Sequence, residues 1–184
     1  MHVAVNDPEQ GVVEDPSFSG LRSGLTDEVP VDADEGTPRE RPLVLVVDDE
    51  ASIRLLCRIN LRLEGMDTIE ADDGESALQL ARERRPDLLL LDVMMPQLDG
   101  WEVAARIAKD AATSRLPIVF LSARAEPADY MRGYDLGAVG YVTKPFDPTA
   151  LGMVLHEVLE RLGRGEREQL RRERIEELQA RGES

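Results

Sequence analysis

The sequence predicts an α/β protein built on a doubly wound, five-stranded parallel sheet. Three observations lead there. Between Pro42 and Leu162, five short apolar runs alternate with five amphipathic stretches, the order that strand–helix–strand crossovers impose. The first and third runs are apolar almost throughout, as strands covered on both faces must be. Gly, Pro or acidic residues punctuate the boundaries, where helices start and stop.

Leu43 to Val47 is the first strand, closed by Asp48, Asp49 and Glu50. Ala51 to Glu64 shows helical spacing in Ile53, Leu56, Cys57 and Asn60, and Gly65 stops it. Met66 to Ala71 is the second strand. Ser76 to Arg85 is the second helix, with Leu78 and Ala81 inward, closed by Pro86. Leu88 to Leu91 is the third strand and runs into Asp92. Pro96 and Asp99-Gly100 make a loop before a third helix, Trp101 to Lys109. Pro117 to Leu121 is the fourth strand, followed by Ser122. Glu126 to Leu136 is a weaker fourth helix entered through Pro127. Gly140 to Thr143 is a short fifth strand ending at Lys144-Pro145. Ala150 to Leu162 is the fifth helix, striped by Leu151, Val154, Leu155, Val158, Leu159 and Leu162. Right-handed crossovers through such a chain give the flavodoxin-like (βα)5 architecture with strand order 2-1-3-4-5.

Composition narrows the function. The 184 residues are 42% hydrophobic, enough for one core, and 37 acidic against 22 basic residues give a net charge of −15. Such a balance repels phosphate backbones and anionic lipid, so neither a nucleic-acid nor a membrane partner is expected. One Cys and two His build neither an internal disulfide nor a zinc cage. With no apolar run of membrane length and no secretory signal, a cytoplasmic protein is expected. The excess of arginine over lysine hints at a genome of high GC content.

Two segments flank the alternating region. Residues 1–41 hold ten acidic residues (Asp7, Glu9, Glu14, Asp15, Asp27, Glu28, Asp32, Asp34, Glu35, Glu40) against three arginines, without apolar periodicity. They are expected to be disordered, as an interaction or autoinhibitory arm or a solubilising tail. Residues 163–184 carry six acidic and six basic residues and no Pro; Glu168 with Arg172 and Glu177 with Arg181 are four apart, which supports a charged helical extension. Two readings of it stand open: a frayed continuation of the fifth helix, and a short helix for dimerisation or a partner.

In a doubly wound sheet, ligands sit outside the carboxyl ends of the strands, at the switch point between strands one and three. That rule points to Asp48, Asp49, Asp92, Ser122 and Lys144. Three carboxylates at one mouth repel one another unless a cation joins them. An oxygen-only set without His or Cys selects a hard ion, and few carboxylates plus water suit Mg²⁺. Lys144 offers a point charge to a phosphate oxygen and Ser122 a neutral donor. Together these groups describe in-line phosphoryl transfer onto an aspartate. Singly, an Asp pair after a strand is more often a solvated turn and Lys-Pro ordinary loop punctuation; their placement at four strand ends in fold order is what carries the reading.

The pieces Val46-Val47-Asp48-Asp49-Glu50, Leu91-Asp92-Val93-Met94-Met95-Pro96-Gln97-Leu98-Asp99-Gly100, Leu121-Ser122-Ala123 and Tyr141-Val142-Thr143-Lys144-Pro145-Phe146 resemble the receiver domain of bacterial two-component response regulators, over about residues 42 to 162. The resemblance implies that Asp92 is the phosphoacceptor, taking its group from a sensor histidine kinase or a histidine phosphotransfer protein. It implies Mg²⁺, with Mn²⁺ as a substitute, held by Asp49, Asp92 and the backbone carbonyl of Met94, with Asp48 acting through water. Lys144 would pair with the phosphoryl group, placed by a cis bond to Pro145. Ser122 would swing to a phosphoryl oxygen and Tyr141 turn inward behind it, shifting the surface of the fourth helix, fifth strand and fifth helix between two populations.

The chain departs from many DNA-binding members at Val139 and Gly140, where those carry two acidic residues, so a salt-bridged active dimer is not expected; a monomer or weak dimer is. Met94 cannot hydrogen-bond an attacking water, which predicts a long-lived phosphoaspartate. Cys57 reads as a small core residue, His156 as solvated and Trp101 as an anchor of the third helix, while Tyr130 and Tyr134 either face outward or pack. The tail has no room for an output domain, so the expected function is a single-domain response regulator that binds a protein effector when phosphorylated and is not an enzyme. A phosphorelay intermediate or phosphate sink is the alternative. A phosphatase using an aspartate nucleophile would want a second Asp at position 94, and a flavin module would find three acids where a phosphate cradle belongs.

Overall fold

A computed structural model of the protein describes residues 39–123 and 126–182, and for residues 181 and 182 the backbone only. The acidic arm expected over residues 1–41 thus lies, for residues 1–38, outside the described residues. Arg39 donates to the carbonyls of Arg84 and Arg85 and to Asp87.

The elements run β1 (Leu43–Val47), α1 (Ala51–Leu63), β2 (Asp67–Ala71), α2 (Gly74–Arg84), β3 (Leu88–Asp92), α3 (Gly100–Lys109), β4 (Ile118–Ser122), α4 (Pro127–Asp135), β5 (Gly140–Thr143), α5 (Pro148–Gly163) and α6 (Arg167–Gly182). All strand pairs are parallel, in the order β2-β1-β3-β4-β5. The fold class and strand order expected from the apolar runs are those observed.

Alternation along the strands divides the core between two helix layers. Val44, Val46, Leu88, Leu90, Val119 and Leu121 point into one cluster with Cys57 and Leu61 of α1 and Leu151, Leu155 and Val158 of α5. The opposite set, Leu45, Val47, Leu89, Leu91 and Phe120, is equally buried, and Phe120 meets the Trp101 ring of α3 at 4.6 Å. Strands β1, β3 and β4 are buried along their whole length, which is why their sequences show no polar alternation.

Helix ends follow their capping residues. Asp73 accepts from the Ser76 amide and hydroxyl, so α2 begins at Gly74, two residues before the start expected from apolar spacing. Asp147 accepts from the Thr149 amide, and α5 begins at Pro148 in place of Ala150. At the C-terminus of α1, Gly65 (φ +79) donates to Arg62 and Met66 to Leu61, a Schellman closure that buries Met66.

The C-terminal segment is not a continuation of α5. Gly165 (φ +76) donates to Leu162 and Glu166 to Arg161, and the same closure turns the chain so that α6 packs back on α4 and α5. Its ion pairs differ from the four-residue spacing: Glu168 meets Arg171 and Glu177 meets Arg174, each three apart. The Arg181 side chain lies outside the described residues. Among the described residues, no helix is long and apolar enough to cross a membrane.

Candidate functional site

The carboxyl ends of β1, β3, β4 and β5 meet at one mouth. β1 delivers Asp48, fully buried, and β3 delivers Asp92, also buried; Asp49 stands exposed at the rim. Ligand oxygens from the three carboxylates lie within 4.8 Å of one another. Lys144, one residue past β5, places Nζ 2.6 Å from Asp48 Oδ2 and 3.0 Å from Asp92 Oδ2. The strand ends are tied locally: Asp48 Oδ1 accepts from the Glu50 amide at 2.9 Å, and Asp92 Oδ1 from the Met94 amide at 3.2 Å.

Burial pushes the Asp48 carboxyl above its ordinary value, the hydrogen bond from Lys144 opposing it. Burial alone would lower the Lys144 ammonium, but bonds to Asp48 and Asp92 outweigh it and raise the group, so Lys144 stays charged. Among the described residues, one bonded cation stands against three carboxylates at the mouth. The donors are all oxygen, with the nearest described thiol, Cys57, sealed in the core and pushed up to about 12 by burial. This set fits a small hard divalent ion, and no soft or imidazole-preferring one.

Ser122 is the last residue of β4, buried, paired in register with Thr143, and its carbonyl accepts the Lys144 amide at 2.8 Å. The Lys144–Pro145 peptide is cis. Tyr141 is half-buried on β5, with its ring 4.4 Å from Tyr130 and 6.0 Å from Phe120. The Met94 side chain is exposed beside the mouth, at 51%. Tyr134 packs inward and is nearly sealed, while the Tyr130 hydroxyl meets Thr143 Oγ1 at 2.9 Å. His156 is exposed next to Glu160.

Three contributors escaped the sequence reading. Arg54 donates to the Asp48 carbonyl at 2.7 Å, bracing β1's end from α1. Gly100 begins α3 directly against β3: a Cβ there would lie 2.2 Å from the Asp92 carbonyl oxygen. Gly133 lets α4 approach the Phe120 ring, which a Cβ would meet at 3.1 Å. Asp99-Gly100 marks a turn in the sequence, but the strand that the glycine touches is not readable locally.

Residues 44–156 match the model of the response regulator receiver domain. The chain is 40% identical over 125 residues to the phosphate regulon transcriptional regulatory protein PhoB of Pseudomonas aeruginosa, covering 68% of this chain and 55% of that protein. It is 41% identical over 106 residues to the DNA-binding dual master transcriptional regulator RpaA of Synechocystis, covering 58% and 44%. The chain spans about half the length of the curated relatives it matches. Among solved structures, the chemotaxis protein CheY4 of Vibrio cholerae superposes with a TM-score of 0.61 at 33% identity, over 64% of this chain and 98% of that one. The receiver domain of the Francisella response regulator 1452 gives 0.62 at 31%, over 66% and 99%.

These relatives correct the expectation of no nucleic-acid partner. That expectation rested on a net charge of −15, which measures what a surface attracts without specificity. Relatives named as transcriptional and DNA-binding regulators extend to about twice the matched length, so the charge of this chain is no measure of what such proteins bind.

Proposed function

The chain belongs to the response regulator receiver domain family, and on that premise we propose that Asp92 is a phosphoacceptor whose phosphorylation switches the α4–β5–α5 face. The single observation that carries this is the convergence of Asp48, Asp49, Asp92 and Lys144 at one mouth. Mg²⁺ would be held by Asp49, Asp92 and the Met94 carbonyl, with Asp48 through water, and supplies charge neutralisation for the incoming phosphoryl group. An Asp92 carboxylate oxygen attacks phosphorus of a phosphohistidine; the O–P bond forms, the N–P bond breaks, and the imidazole takes a proton from solvent. Lys144 exchanges its carboxylate partners for a phosphoryl oxygen. Ser122 turns its hydroxyl toward another, and Tyr141 follows it inward. Met94 offers no hydrogen bond to a hydrolytic water, so the acyl phosphate decays slowly.

The donor is a sensor histidine kinase or phosphotransfer protein. Leu55, Ile59 and Leu63 are exposed at four-residue spacing on α1, and Met153 is exposed on α5, which packs against α1. That apolar strip begins a turn beyond Glu50 at the mouth and suits the side of a donor helix. The output is control of transcription, the role carried in the names of PhoB and RpaA. A second reading, a single-domain regulator acting on a protein effector, is favoured by α6, which folds back on the domain.

The test is intact mass after incubation with Mg²⁺ and acetyl phosphate, beside Asp92→Asn. A single labile phosphoryl adduct in wild type is expected, absent from Asp92→Asn and from chelated samples. An adduct that persists in Asp92→Asn would sink the assignment.

A further inference from the structure

The phosphoryl site makes no use of α6, yet α6 is attached at chosen places. Among the fourteen residues of α6 whose side chains are described, only Leu170 is fully buried, in the core cluster with Val139 and Val158 and beside the partly buried Leu159 and Leu162 of α5. Arg167 donates to the Arg115 carbonyl at 2.6 Å and reaches those of Leu116 and Gly137 at 3.5 Å. Arg171 donates to the Tyr134 carbonyl at 2.6 Å. Glu173 is paired with Arg161 of α5 at 2.6 Å.

Tyr134 lies in the last turn of α4, Gly137 in the loop feeding β5, and Arg161 in the last turn of α5. Thus α6 joins the far ends of the three elements that form the proposed switch face. The grip on α4 falls one residue from Gly133, where α4 leans on the rings of Phe120 and Tyr141. An α4 that shifts with Tyr141 carries the Tyr134 carbonyl away from an arginine anchored on another helix. The attachment is also slight: Ile175 and Leu178 are only half-buried and the rest of α6 is mostly charged. A helix held by one leucine and a few polar contacts opens at low cost relative to the fold.

We infer that α6 is a latch, docked across the far ends of α4, β5 and α5, which stabilises the resting face and is released by phosphorylation to uncover a helix-binding site. The partner that fits there has the chemistry of α6 itself: an amphipathic helix presenting one leucine between arginines that cap the α4 and β5-loop carbonyls. The inference rests on Asp92 being the acceptor. Linkage then makes the effect reciprocal, so that weakening the latch favours phosphorylation.

The experiment is amide hydrogen exchange on the full chain with Mg²⁺, with and without beryllofluoride, for wild type, Leu170→Glu and Arg171→Gln. Intact mass at limiting acetyl phosphate is read in parallel. Beryllofluoride should speed exchange over residues 167–178 of wild type about tenfold, and each variant should raise phosphoryl uptake several-fold. Leu170→Glu should show fast α6 exchange without activation; should it fail to fold, Arg171→Gln, which removes the grip on Tyr134 together with an exposed ion pair to Glu168 inside α6, carries the test. The latch is refuted if Asp92 gains its adduct while α6 exchange stays unchanged, or if α6 is freed and uptake does not rise. Absence of any adduct on Asp92 is a separate result: it removes the acceptor reading and the latch with it.

Discussion

Replacing Lys144 with methionine keeps the stem and removes the one cation that, among the described residues, is bonded to the buried carboxylates. Asp48 and Asp92 then face each other and Asp49 uncompensated, with ligand oxygens no more than 4.8 Å apart. At an effective dielectric of ~20, one such pair repels by about 3.5 kcal/mol. Breaking a buried ion pair by removing one partner costs about 3–5 kcal/mol, so Lys144→Met should lose about that much in metal-free buffer at neutral pH. The loss is pH-dependent. Asp48 is already raised by burial, and without Lys144 it rises further. A carboxyl raised above its unfolded value binds its proton better in the folded state, so it favours folding in acid and that contribution disappears as pH climbs through its folded pKa. The variant should therefore approach wild type on acidification and fall away above it. Mg²⁺ should restore the variant more than wild type, because the ion no longer competes with an ammonium. Urea unfolding with chelator or with Mg²⁺, at mildly acidic and neutral pH, reads all three effects. A variant within about 1 kcal/mol of wild type under chelation at neutral pH, with no recovery in acid, would refute the reasoning that the mouth is a frustrated carboxylate cluster.

Three further outcomes are expected. Gly100→Ala forces a Cβ against the Asp92 carbonyl, and because backbone cannot swing away, the cost should reach the upper part of the 1–3 kcal/mol range for overpacking, about 3 kcal/mol by denaturant unfolding, with phosphoryl uptake impaired. Met94→Asn places a hydrogen-bonding group at an exposed position of the mouth; decay of the purified phosphoprotein, followed by intact mass, should be several-fold faster, and an unchanged half-life would break the link to Met94. Cys57, sealed and with its thiol pushed up to about 12, should resist maleimide in the native state and react only as fast as the domain unfolds.

The fold was legible because this sheet is buried on both faces. Runs such as Leu43–Val47 and Leu88–Leu91 need apolar residues at every position, and that leaves a mark no tertiary context is needed to read. Five residues at the strand ends, Asp48, Asp49, Asp92, Ser122 and Lys144, followed from the rule that strands deliver ligands at their carboxyl ends. Helix starts were less legible, since apolar spacing ignores the polar residue that fixes them: Asp73 and Asp147 set α2 and α5 earlier than Leu78 or Leu151 suggest. The role of Gly100 and Gly133 was invisible, because each glycine answers to a neighbour from another element, the Asp92 carbonyl or the Phe120 ring. The course of α6 was unreadable for a related reason. A mostly charged helix normally looks solvated, and what docks it is arginine bonding to carbonyls, a signal that composition does not separate from a free surface.

Strand register explains how a change at the mouth could reach α4 without long-range deformation. Ser122 pairs with Thr143, and the Thr143 hydroxyl meets that of Tyr130 in α4 at 2.9 Å. Two register steps back, Phe120 pairs with Tyr141, whose ring touches Tyr130. These five residues thus cluster between β4, β5 and α4, with Gly133 removing slack against Phe120. Interiors packed this tightly do not deform by degrees; they exchange one arrangement for another. If Ser122 turns toward a phosphoryl oxygen, the space beside Thr143 changes, and the Tyr130 bond and Tyr141 ring position must change together or not at all. The 2.9 Å hydroxyl contact then defines the resting side of the switch, and its loss, more than any motion of the sheet, is what α4 would transmit.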